Sequence, residues 1–127
     1  MLETLTLTRI SAALAEHAST RMDQIARNVA QADTPGYKAM DLPDFAQVYD
    51  TGFQGGMRTT NPRHISTTLA KAQPMAQLAG AEVQPNGNTV SLEREMVKSV
   101  AVRQEHDMAL AVYSHARDIL RASLGRK

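Results

Sequence analysis

The chain has 127 residues, a net charge of +1 and no cysteine, which excludes several classes of protein. So small a charge leaves no electrostatic footprint for nucleic acid, and a chain without thiols has neither a disulfide framework nor a thiolate metal site. Aromatic residues make up only 4% of the chain and tryptophan is absent, so the chain has few of the large side chains that usually fill a compact core.

The N-terminal segment predicts one long amphipathic helix. Its apolar residues recur at steps of three and four, the spacing of one helical face: Leu7, Ile10, Leu14, Ala18, Met22, Ile25, Val29 and Ala32. The 11 residues from Leu14 to Ile25 correspond to 3.67 residues per turn. The spacing therefore predicts a stripe that runs straighter than a strict heptad would.

A helix-terminating proline and a tight turn follow this helix. Pro35 disfavours a helical conformation at Thr34 and has no backbone N–H to donate, so the helix should end near Ala32. Gly36 permits the positive φ of a type II turn. Tyr37 can fold its ring back on the helix, so the pattern predicts a turn that fixes the direction in which the chain leaves.

Residues 39–88 predict an irregular connector with minor β structure, because they hold four of the five prolines and five of the seven glycines. The segment from Ala79 to Val83, with a turn at Pro85-Asn-Gly87, favours a small hairpin.

Aromatic residues recur every four positions at Phe45, Tyr49 and Phe53, which favours a short helical turn inside this connector. Three glycines are expected to break that turn: Gly52, Gly55 and Gly56.

A second long helix is predicted to begin within Asn88 to Ser91, where several residues can cap it, with Glu93 and Glu95 adding negative charge to its first turn. At 1.5 Å per residue, such a helix would span on the order of 50 Å, which is longer than a small globule is wide. Packing on partner helices, within the chain and between chains, is therefore expected. Its predicted stripe is Val97, Val100, Gln104, Met108, Ala111, His115, Ile119 and Ala122, with Met96, Val112 and Leu120 widening it.

The predicted fold is mainly α, with long N- and C-terminal helices forming a coiled-coil-like pair around an irregular middle segment with minor β. Three segments follow from this organisation: 1–38, 39–88 and 89–127. Because the connector has too few aliphatic residues to cover both stripes, burial between molecules is favoured over a self-sufficient hairpin. The predicted assembly interface comprises Leu14, Met22, Ile25, Val29, Val97, Val100, Met108, Val112 and Ile119.

Residue types that carry chemistry do not form a catalytic, cofactor or metal site in this sequence. His106 and His115 are nine residues apart, which is not a ligand spacing on one helical face, and His17 and His64 are likewise interpreted as structural. Asp41 and Asp44 resemble a carboxylate pair, but they are interpreted as solvated loop residues. The chain is predicted not to be an enzyme and to need no cofactor.

The run from Asn28 to Lys38 resembles the N-terminal signature of the flagellar rod, hook and hook-associated proteins. That signature pairs an Asn-x-Ala helix end with Thr-Pro-Gly-Tyr and a basic residue. The positions that match it are Asn28, Ala30, Thr34, Pro35, Gly36 and Tyr37. Three further segments are similar to segments of one member of that family, a proximal rod protein: Met40–Phe45, Thr60–Ile65 and Asn86–Met96.

The resemblance implies a structural subunit of the proximal rod of the bacterial flagellar basal body that polymerises through its terminal helices. Implied partners are other copies and other rod proteins, the adaptor between rod and MS ring, and the flagellar type III export gate. The N-terminus lacks a basic n-region and an unbroken apolar stretch, so export to the periplasm without a cleaved signal peptide is expected, and no transmembrane segment is predicted. Two alternatives stay open: another axial rod paralogue, and a cytoplasmic helical adaptor or export chaperone.

Overall fold

A computed structural model describes residues 2–54 and 75–125 of the chain. In chain order the elements are α1 (Leu2–Ala30), β1 (Met40–Asp41), α2 (Phe45–Gln54), β2 (Gln77–Leu78) and α3 (Leu92–Ser123). The prediction of a mainly helical chain, with two long terminal helices packed together around an irregular middle, is confirmed.

The two long helices run antiparallel, because the end of α1 lies beside the start of α3 while the helices pack along their length. One row of buried residues on each helix recurs every seven positions: Ser11, Ala18 and Ile25 on α1, and Glu95, Val102, Ala109 and Ala116 on α3. His17 and Asn28 on α1 are also buried, outside this row. A seven-residue repeat keeps one seam of each helix against the other. The buried row of α1 therefore repeats every seven residues and not with the 11-residue spacing that the sequence predicts. The difference arises because the row against α3 includes the small residues Ser11 and Ala18, whereas the prediction rests mainly on the spacing of large aliphatic residues.

The turn after α1 forms as predicted. Regular helix ends at Ala30, and Gly36 adopts φ +74°, inside the left-handed region that a residue with a Cβ rarely enters. The backbone N–H of Tyr37 donates to the carbonyl of Thr34 at 3.3 Å, which closes the turn around Pro35. The Tyr37 ring folds back, as expected, and its hydroxyl donates to Asn28 Oδ1 at 3.4 Å.

The small sheet pairs segments that lie far apart in sequence. β1 and β2 are antiparallel, with Met40 opposite Leu78 and Asp41 opposite Gln77. The predicted local hairpin is therefore wrong: the strand lies before Ala79, and it pairs with the segment that leaves the first turn. The turn at Pro85-Asn-Gly87 does form, closed by a 2.8 Å bond from the Gly87 N–H to the Gln84 carbonyl.

The aromatic repeat lies on α2, which confirms the short helix. Gly52 lies within this helix and does not break it, since one glycine costs only about 1 kcal/mol in a helix. Gly55, Gly56, His64 and the Thr60–Ile65 segment lie outside the described residues.

Candidate assembly site

Asn28, the first residue of the turn motif, joins three parts of the fold. Its side chain is completely buried. Its Oδ1 accepts hydrogen bonds from the Met40 N–H (3.2 Å), Gln24 Nε2 (3.2 Å) and the Tyr37 hydroxyl (3.4 Å). Its Nδ2 donates to the Met40 carbonyl (2.7 Å) and to Glu95 Oε2 (3.0 Å). One amide therefore holds α1, β1 and α3 together.

Asn88, which lies just before α3, caps the C-terminal end of α1. It is also completely buried, and its Nδ2 lies within hydrogen-bond distance of the carbonyls of Gln31 (3.0 Å), Ala32 (2.7 Å) and Thr34 (2.9 Å). The last carbonyls of a helix have no partner within the helix, so a donor from elsewhere is needed. Its Oδ1 accepts from the Val90 N–H at 2.7 Å, which fixes the chain just before α3.

The first turn and the 84–88 turn lie in contact, and each has a glycine at positive φ. A Cβ added at Gly87 would lie 3.4 Å from the Cα of Gly36, an ordinary van der Waals distance, so it is the φ of +74° at Gly36 and +78° at Gly87 that favours glycine. The Gly36 N–H donates to the Asn86 carbonyl at 3.1 Å, and the Thr89 N–H donates to the Tyr37 carbonyl at 3.1 Å. The motifs at 28–38 and 86–96 therefore form one structure, which we call the helix junction.

A chain of ion pairs lines the helix junction. Asp41 Oδ2 lies 2.9 Å from Lys98 Nζ, and its Oδ1 lies 3.2 Å from Arg21 Nε. Lys98 also reaches Glu95 at 3.2 Å, and Arg21 reaches the exposed Asp44 at 3.3 Å. The interpretation of Asp41 as a solvated loop residue is wrong, because β1 holds it between Arg21 and Lys98. The apolar periodicity of the helices gives no information about the positions of these two cations.

Burial and pairing act on the Asp41 carboxyl in opposite directions. Burial alone would raise its pKa, but hydrogen bonds from Lys98 and Arg21, together with their charges, outweigh burial and hold the pKa below the ordinary 3.8. In the same way the pKa of Lys98 is raised: burial opposes its charge, while the contact with Asp41 and then that with Glu95 favour it. The charged forms of both residues stabilise the junction.

We expect the stabilisation by Asp41 to depend on pH. A carboxyl with a lowered pKa in the folded state stabilises the fold above its ordinary pKa and loses that effect as pH falls through the folded value. Asp41→Asn should therefore lower the free energy of unfolding at neutral pH, and the difference from the parent chain should shrink below about pH 4. Urea unfolding at a series of pH values measures this difference, and a difference that stays constant down to pH 2 would contradict it.

The stripe predicted on α3 lies outside its contact with α1. At 100° per residue, Val97, Val100 and Met108 lie about 120–160° around the helix from Val102, the residue that faces α1, and Val112 and Ile119 lie about 80–100° from it. The five predicted interface residues on this helix are all exposed, by between 37% and 71%: Val97, Val100, Met108, Val112 and Ile119. We call them the outer stripe.

The stripe predicted on α1 is used differently. Ile25 is 4% exposed and forms a cluster with Ala18 and Val102, against which Met22 packs. Leu14 is half-buried, and Val29, near the helix end, is 38% exposed. The predicted interface set is therefore divided: its α1 members lie mainly toward α3, and its α3 members point outward.

Histidines occupy structural positions in the described part of the chain. The buried His17 has its Nε2 3.0 Å from the Pro43 carbonyl and its ring edge-on to Phe45, so it ties the start of α2 to α1. His106 lies 3.7 Å from Asp107 on α3, and His115 is exposed. Residues 2–54 and 75–125 contain no cluster of three potential metal ligands. None of the helices in those ranges is long and apolar enough to cross a membrane.

The residues of the turn after α1 resemble the signature of the flagellar axial proteins, and the chain is similar in sequence to flagellar rod proteins over about three quarters of its length. The chain is 35% identical over 101 residues to the flagellar basal body rod protein FlgB of Agrobacterium fabrum, covering 74% of each chain. It is 32% identical over 104 residues to FlgB of Escherichia coli, covering 74% of this chain and 75% of the relative. With FlgB of Salmonella typhimurium it shares 29% identity over 101 residues, covering 72% and 73%.

No family model matches the sequence. The similarity to the curated relatives is sufficient by itself: the chain belongs to the family of the flagellar basal body rod protein FlgB, and with it to the structural proteins of the basal body rod.

Proposed function

We propose that this chain is a subunit of the proximal rod that polymerises through its terminal helices, with the outer stripe as the main contact between subunits. The observation that carries the proposal is the position of that stripe, which is uncovered in the described structure. Its residues run from Val97 to Ile119, about 33 Å along one side of α3. A row of exposed apolar residues of this length, here interrupted by Gln104 and His115, is more typical of an interaction surface than scattered exposed residues are.

The helix pair does not need the outer stripe for its own folding. Small residues, Ala18, Ala109 and Ala116 among them, fill the seam between the helices, and the larger aliphatics of α3 remain outside it. α3 thus has two apolar sides, one against α1 and one free for a second partner. The proposed intersubunit surface therefore consists of the outer stripe together with the exposed Val29. Ile25 and Met22 pack with Val102 of α3, and Leu14 is half-buried.

Partners and location follow from the family and not from the geometry. We propose contacts with other copies and with other rod proteins, with the adaptor between rod and MS ring, and with the flagellar type III export gate. We propose that the rod lies in the periplasm and that the flagellar type III export route delivers the chain to it. The segments 1–38, 39–88 and 89–127 serve respectively as first helix with turn, connector and second helix.

We expect Met108→Asp to remove the chain from the rod while leaving its own fold intact. Met108 is 57% exposed, so a charge there meets water in the isolated chain but desolvated apolar surface in an assembly. Basal bodies stripped of hook and filament, with this chain quantified by mass spectrometry against the MS-ring protein, provide the measurement. The ratio should fall at least tenfold, with unchanged thermal unfolding of the purified chain.

Leu110→Asp is the matched control, because Leu110 is 48% exposed on the same helix but lies about 200° around it from Met108. It should retain the parent ratio in basal bodies. Normal incorporation of Met108→Asp would exclude the outer stripe as an assembly surface. Recovery of the parent chain only in the soluble cytoplasmic fraction would instead support the adaptor or export chaperone.

A further inference from the structure

The seam between α1 and α3 repeats itself along its length. Ala109 and Ala116 follow Val102 in the same buried row of α3, each seven residues after the last. A slip of one heptad, about 10 Å along the axis, would place Ala109 where Val102 now packs against Ile25. Ile25 would then face an alanine instead of a valine, which is a smaller but still apolar partner, so packing of this row alone favours the observed register only modestly.

Glu95 is the exception in that row. It occupies the heptad position before Val102, it is 2% exposed, and it contacts Asn28 Nδ2 at 3.0 Å and Lys98 Nζ at 3.2 Å. A slip of one heptad would take the carboxylate away from Asn28, and removing a partner from a buried charge is strongly unfavourable. The same slip would leave the Asn28 amide without its acceptor on α3.

We propose that the buried contact between Asn28 and Glu95 selects the register of α1 against α3. A single polar pair in an otherwise apolar seam acts this way in coiled coils, where it specifies register at some expense of stability. The register in turn determines where the outer stripe lies along the hairpin; this second step rests on the proposed function, whereas the first concerns the chain alone.

The cap supplied by Asn88 is the main competing determinant. Asn88 binds the last carbonyls of α1 and lies four residues before the first residue of α3, so it also opposes a slip. Its contacts are to backbone and are made by the segment before the helix. They would survive a change at Glu95, so a substitution there separates the two explanations.

Engineered disulfides report the register directly, because the chain has no cysteine of its own. The pair Ile25→Cys with Val102→Cys tests the observed register, and Ile25→Cys with Ala109→Cys tests the register slipped by one heptad. In the purified parent chain, the first pair should crosslink under mild oxidation and the second should not. In a Glu95→Leu background, the first product should be largely lost and the second should appear.

Glu93→Leu is the matched control, since Glu93 is an exposed glutamate in the same turn of α3, and it should leave the parent pattern unchanged. Glu95→Gln keeps an acceptor for Asn28 and should retain the observed register. Crosslinking only in the observed register with Glu95→Leu would overturn the proposal in favour of the Asn88 cap. Loss of both products together with helical signal would also overturn it, since the seam would then hold no alternative register. None of these outcomes depends on rod assembly, which is measured separately by the basal-body ratio.

Discussion

Asn28→Asp is expected to lower the free energy of unfolding by about 3–5 kcal/mol, although the substitution is isosteric. An aspartate at this position has no N–H to donate, so the Met40 carbonyl loses its 2.7 Å partner. The new carboxylate would also lie about 3.0 Å from Glu95 Oε2, where a donor stands now. Two buried carboxylates would then repel each other at the point that joins the helices.

Urea unfolding followed by far-UV circular dichroism measures this effect. Asn86→Asp is the matched control: Asn86 is an exposed residue of the same helix junction whose Oδ1 accepts from the Asn88 N–H, a role that an aspartate oxygen can also fill. Adding Glu95→Gln to Asn28→Asp should restore part of the lost stability, because an amide then faces the new carboxylate. Equal stability of the Asn28 and Asn86 variants would exclude a central role for Asn28.

Ile25→Asp is expected to unfold much of the helix pair in the isolated chain. Ile25 is 4% exposed among Ala18, Val102 and Met22, so the substitution removes buried apolar surface and places an unpaired charge in the seam. We expect a loss of at least about 3 kcal/mol from the free energy of unfolding.

The comparison with Met108→Asp makes the second prediction specific. Both residues belong to stripes that the sequence predicts, yet the exposed Met108 should tolerate the charge within about 0.5 kcal/mol in the isolated chain. Thermal and urea unfolding of the two variants measure the difference in their free energies of unfolding. A similar loss in both would mean that α3 packs on α1 through the outer stripe.

The features that the sequence predicts correctly depend on residue types acting on the neighbouring backbone. Pro35 and Gly36 act on their own backbone and that of their neighbours, so the end of α1 and the φ of +74° at Gly36 follow from residue types alone. α3 begins at Leu92, directly after Ser91, within the range that the sequence predicts. Ser91 makes no side-chain cap hydrogen bond, so the local signal present in the structure is the negative charge of Glu93 and Glu95 in the first turn. The matching signature at 28–38 then led to the family.

The incorrect predictions concern residues whose structural partners are distant in the sequence. Asp41 belongs to β1 and pairs with Arg21 and Lys98, which are 20 residues before it and 57 after it. β2 pairs with β1 across the connector instead of forming a hairpin with its own neighbours. Asn88 and Glu95 were missed for the same reason, although a glutamate in the heptad row of Val102, Ala109 and Ala116 is a signal that the sequence does contain.

The sequence by itself determined that this chain has two long amphipathic helices, a fixed turn between the first helix and the connector, and a rod-protein signature. Those properties depend on residue type and short-range spacing. Only the tertiary structure decided which stripe faces inward, because the periodicity of a helix records that a face is apolar but not what covers it. Contact with α1 placed the small residues of α3 inside, left the outer stripe exposed, and brought Asn28 to Glu95, 67 residues further along the chain.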